Sequence, residues 1–80
     1  MATDKVNEQI LKRKAEFYYT ANLKCHIKIK GTGFRNGWIT SGFIEDGSYW
    51  KFKDIRFPDR PDRIFIDEVF DIKDYEEVVG

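Results

Sequence analysis

The sequence predicts a mainly β domain with one N-terminal α-helix, its four or five short antiparallel strands coiled into a small, strongly bent barrel. Three observations carry this. Apolar residues keep helical spacing only over the first twenty positions. From Leu23 onward they alternate with period two, first over Leu23–Lys30 and again around Trp50. Glycine-marked turns then recur at near-regular intervals, at Gly31-Thr32-Gly33 and Glu45-Asp46-Gly47-Ser48. Eighty residues make one domain, and the apolar fraction of 41% is enough for one core. A single sheet this small would leave one face wet and both edges open, and closure into a barrel removes both problems.

The helix spans residues 3–19. Thr3 or Asp4 can cap it by accepting a backbone N–H. Val6, Ile10, Leu11, Ala15 and Phe17 or Tyr18 form its apolar stripe, so it covers an end or open face of the sheet. Lys12-Arg13-Lys14 lies on the other face, either as a solvated surface or as a phosphate contact.

The barrel occupies 22–75. In the first strand, Leu23, Cys25, Ile27 and Ile29 point inward and Lys24, His26, Lys28 and Lys30 outward. Cys25 is then a small core residue. It stands on the opposite face from His26, the only histidine, so no metal site forms here. The second strand runs Phe34 to Ile44. Gly37 is a bend or close approach within it, because the apolar pattern continues through Asn36-Gly37 to Trp38, Ile39 and Phe43. Gly42 is a candidate for a second bend. The third strand, Tyr49 to Asp54, turns Trp50 and Phe52 inward and Tyr49, Lys51 and Lys53 outward. Pro58 to Arg63 is a loop. Ile64 to Val69 is a fourth strand, Phe70 to Tyr75 a short last strand or turn, and residues 76–80 a tail.

The runs His26–Gly31, Phe34–Ile39 and Tyr49–Asp54 together resemble the first conserved block of the Sm-like proteins within the SH3-like small barrels. Gly31, Gly37 and Asp54 fall at matching intervals, and Ile64-Phe65-Ile66 through Ile72 resembles the second block. The resemblance spans about 65 residues. It implies an N-terminal helix on a bent five-stranded barrel and assembly into rings through edge strands. Sm-like proteins bind uridine-rich RNA with an Asp-x-aromatic-x-Asn set and an Arg-Gly pair. Here Glu45 replaces the aspartate, Tyr49 falls at the asparagine, and Ile66-Asp67-Glu68 offers no Arg-Gly, so the resemblance does not carry that pocket over.

Charge speaks to association. The net charge is zero, but residues 1–40 carry eight Lys/Arg and three Asp/Glu, and residues 41–80 six and eleven. Three readings follow. The halves face each other within the domain, or copies assemble head to tail, or the basic half forms a nucleic-acid patch.

Two binding functions are expected. One is a protein-interaction or assembly module, with exposed edge strands and the acidic run Asp67, Glu68, Asp71, Asp74, Glu76 and Glu77 facing a basic partner. The other is binding of RNA or single-stranded nucleic acid. Lys24, His26, Lys28, Lys30, Arg35, Lys51 and Lys53 would contact phosphates, and Tyr49, with Phe34 or Trp38, would stack bases. No nucleophile–base pair, phosphate loop or cofactor motif is visible, so an enzyme is not expected. With one cysteine, no apolar run long enough for a membrane span and no secretory signal, a cytoplasmic setting without membrane partners is expected.

Overall fold

The computed structural model describes residues 2–76, with side chains from residue 7 onward. The helix α1 covers Ala2–Thr20 and is followed by β1 (Cys25–Ile29), β2 (Phe34–Ile39), β3 (Tyr49–Asp54), β4 (Asp62–Phe65), a 3-10 turn (Ile66–Glu68) and β5 (Val69–Asp74). The capping positions Thr3 and Asp4, the Val6 side chain and the tail beyond residue 76 lie outside the described residues.

All pairings are antiparallel, in the spatial order β4-β3-β2-β1-β5. Neighbouring strands in sequence are therefore neighbours in space, except that β5 returns to the far side of β1. The architecture is mainly β with one helix, as expected, but the sheet does not close. Strands β4 and β5 each pair with one neighbour only. The 3-10 turn between them pins the chain elsewhere: Ile66 N–H donates to Ser48 O, and Lys30 N–H donates to Glu68 O.

The helix packs on β2 and β5. Leu11, Ala15 and Tyr18 supply its buried stripe, while Ile10 and Phe17 are exposed. Beneath it lie Cys25, Ile27, Ile39, Trp50, Phe52, Ile64, Ile66, Val69 and Ile72. Core residues alternate along β1 (Cys25, Ile27) and β3 (Trp50, Phe52), as a sheet with one dry face requires, while on β5 a bulge opposite Lys28 and Ile29 sets Val69 and Ile72 three residues apart. Phe43 closes one side, its ring 4.9 Å from that of Trp50 in an edge-to-face arrangement.

Three boundaries differ from the sequence reading. Leu23 was expected in the core and is exposed. It belongs to the helix terminus: Asn22 takes φ 54°, and Leu23 N–H returns to Tyr18 O at 3.0 Å, closing the last turn. The second strand stops at Ile39 rather than Ile44. Ser41 Oγ accepts the Lys51 N–H at 3.0 Å, so a side chain takes a bond that a continuing ladder would have made. The fourth strand lies at Asp62–Phe65, not 64–69. Glu68 reaches back to accept the Phe65 N–H at 3.1 Å and curls the next three residues into the 3-10 turn.

Gly37 is the close approach expected of it. A Cβ there would collide with the backbone oxygen of Lys53 and sit 2.9 Å from Phe52 Cζ.

Candidate nucleic-acid interface

Strand register decides which side chains share the face turned away from the helix. His26 pairs with Asn36 and Lys73, and Lys28 with Phe34 and Asp71. Trp38 pairs with Lys53, Lys51 with Arg63, and Tyr49 with Phe65. Thr40 N–H donates to Lys51 O, which adds Thr40 to that row. These residues form successive cross-strand rows on one face. Lys24 reaches it from just before β1, its Nζ lying 5.4 Å from the Trp38 ring centre.

The face is basic and aromatic. Lys24, Lys28, Lys51, Lys53, Arg63 and Lys73 stand on it, with Phe34, Trp38, Tyr49 and Phe65 among them. Asp71, in register with Lys28, brings a carboxylate among them, and Lys14 of the helix already holds that group at 2.8 Å. Burial pushes the Asp71 pKa up, but the bonds from Lys14 and the Ile72 N–H, with the nearby Lys73 charge, together offset it and hold the carboxyl below its ordinary value. Lys28, Lys51, Lys53 and Arg63 have no ion-pair partner among the described residues.

The rings are spaced along the sheet. Phe34 and Trp38 are four residues apart on β2, about 13 Å along the strand. Tyr49 lies four residues from Lys53, the cross-strand neighbour of Trp38, so a third ring follows at a similar interval. Each ring is braced. His26 stacks at 5.0 Å from Phe34 and donates from Nδ1 to Asn36 Oδ1 at 2.6 Å. Lys24 and Lys53 flank Trp38, and Arg63 lies 5.2 Å from the Tyr49 ring centre.

Six of the eight residues expected from sequence therefore meet on this face: Lys24, His26, Lys28, Tyr49, Lys51 and Lys53. Lys30 lies beyond β1, on the wall of a cavity shared with Asn7, Glu8 and Asp67. Arg35 is on the opposite face, because its partner in register is the core residue Ile27. There its Nε donates to Asp54 at 3.0 Å and its Nη2 donates to Asp62. Asp54 is buried and also accepts the Arg56 N–H at 2.8 Å. Burial would raise the Asp54 pKa, but the bonds from Arg56 and Arg35 more than offset it and hold the carboxyl below its ordinary value. Arg35 is thus a structural cation.

Arg63, Phe65 and Lys73 join the face without having been named from sequence. Arg63 and Phe65 flank the buried Ile64 with period two, a signal hidden when Arg63 is assigned to the proline loop. Cys25 is fully buried, and burial pushes its thiol pKa up to about 12. Among the described residues no three His, Cys, Asp or Glu side chains gather into a metal-binding group, and no helix is long and apolar enough to cross a membrane.

Compared with known proteins, the chain matches no family model, no curated protein and no solved structure.

Proposed function

We propose that this chain is a non-enzymatic binding module on an Sm-like, SH3-like bent barrel, and that the face turned away from the helix binds RNA or another single-stranded nucleic acid. One observation carries the reading. Four rings and six cations share one sheet face, and Asp71, the carboxylate that strand register places among them, is held by Lys14. Cations spread along a row of rings suit a flexible polyanion with exposed bases. The zero net charge does not oppose this, because acids such as Asp54 and Asp62 are engaged by Arg35.

Fluorescence anisotropy with a labelled single-stranded oligonucleotide tests the reading. With about four phosphate contacts, affinity should fall on the order of 50-fold between about 50 and 200 mM salt. The double variant Lys51→Glu/Lys53→Glu should abolish binding and leave the thermal unfolding curve cooperative. Full affinity in that variant would remove this face as the site.

Edge-strand assembly is a second reading, favoured by the two open edges of the sheet. Strand β4 carries Asp62 and Arg63 and β5 carries Asp71, Lys73 and Asp74, so each edge offers charges of both signs to a second copy. Light scattering that returns a monomer mass at high protein concentration would dismiss it. The two readings are compatible, since edge pairing leaves the outer face uncovered.

A further inference from the structure

The outer face has a cleft of about 340 Å³ at its β3–β4 end, walled by Thr40, Tyr49, Lys51, Pro61 and Arg63. We propose that this cleft takes one unstacked nucleobase of the bound strand, so that the ligand must be unpaired at that position. The inference rests on the nucleic-acid reading of the face and adds to it a defined base site.

The size is at the lower end for a small-ligand cleft, suited to a single ring system. Tyr49 provides the stacking surface, and it is held in place. The Phe65 ring lies 5.5 Å from it, and a side chain at Gly47 would come within 2.9 Å of its ring carbons, so only glycine leaves that ring its room. Arg63 lies against the same ring and can extend the stack, since a guanidinium plane carries a base as an aromatic ring does. Thr40 is exposed, and its hydroxyl can both donate to and accept from a base edge. Lys51, its neighbour across the ladder, stands within reach of that nucleotide's phosphate. Asp62 also borders the cleft, but its carboxylate is engaged by Arg35 and by the Arg63 N–H.

A second, larger cleft of about 700 Å³ is bordered by His26, Asn36 and Lys73. It carries Asp74 and Glu76, two carboxylates that would repel a phosphate, so it is the weaker candidate. A base in a duplex lies inside its stack and cannot enter the Tyr49 cleft without being flipped out. That makes the cleft a discriminator as well as a contact.

The test uses the whole chain and a short single-stranded oligonucleotide, a set of the same strand with one abasic position moved along it, and the matching duplex. The wild type should lose roughly tenfold in affinity at one abasic position and should bind the duplex more weakly. Thr40→Leu fills the cleft without changing charge. It should weaken binding by a similar factor, leave the salt slope unchanged and abolish the abasic penalty. Arg63→Gln provides a second variant with the same expected loss of the abasic penalty. If the wild type binds but all abasic positions cost the same, or Thr40→Leu binds as wild type, or the duplex binds equally well, the cleft is not a base site while the basic face stands. If the wild type binds no oligonucleotide at low salt, both readings fall.

Discussion

Two glycines show how differently the same residue type is used. At Gly37 the obstacle is backbone: any Cβ meets the Lys53 carbonyl, which cannot swing aside as a side chain could. Gly37→Ala should therefore cost about 3 kcal/mol or more in urea unfolding. Gly31 has φ 89° with open space around it, so Gly31→Ala meets only the backbone penalty and should cost about 1–2 kcal/mol. Equal losses in the two variants would contradict the close packing of β2 on β3. The same local logic applies to Arg35. It differs in role from Lys28 of the adjoining strand because period two sends Phe34 outward beside Lys28 and Arg35 toward Asp54.

At the scale of elements, the helix is bound to the sheet by a narrow stripe and by polar clasps along β5. Leu11 and Ala15 are buried, and the Tyr18 hydroxyl donates to Asp74 Oδ1 at 2.6 Å. Burial and that carboxylate both raise the Tyr18 pKa, so the phenol stays a donor throughout the ordinary pH range. Leu11→Ala should destabilise by about 2–4 kcal/mol through the cavity it leaves. Binding to the outer face should be unaffected in the remaining folded fraction, because the helix packs on the other side. A parallel loss of affinity in fully folded protein would mean that the helix helps form the site. The Lys14–Asp71 pair is partly exposed, and its contribution is correspondingly small.

For the whole molecule, charge is sorted by face rather than by half of the chain. The basic first half and acidic second half interleave: Lys14 meets Asp71, and Arg35 meets Asp54 and Asp62. The expectation that the halves face each other within one domain describes these pairs. The arrangement fixes the response to acid. Asp54 and Asp71 both have folded pKa values below the ordinary 3.8. The unfolded chain therefore binds protons first as pH falls. Their stabilisation is complete above that ordinary value and is lost below it, as pH drops through the folded values. Thermal midpoints measured down a pH series should hold from neutrality to near pH 4 and fall below it. Asp54→Asn should flatten that fall, and an unchanged acid limb in this variant would show that other carboxylates govern it.

Much of this was legible in the sequence because periodicity is a local property. The stripe of Leu11, Ala15 and Tyr18, the inward Cys25, Ile27, Trp50 and Phe52, and the outward Lys28, Lys51 and Lys53 each follow from spacing within one segment. What spacing could not give was where segments end and which segments meet. A serine hydroxyl ends β2, a glutamate side chain curls the chain after β4, and Asn22 turns Leu23 away from the core. The first two are side-chain-to-backbone bonds, and the third is a left-handed backbone turn closed by the Leu23 N–H on Tyr18 O. Sequence alone thus determined the elements and the two sides of each strand. Only the tertiary structure decided that Lys51 of β3, Arg63 of β4 and Trp38 of β2 share one surface while Arg35 is enclosed by acids, because strand register joins residues that no local period relates.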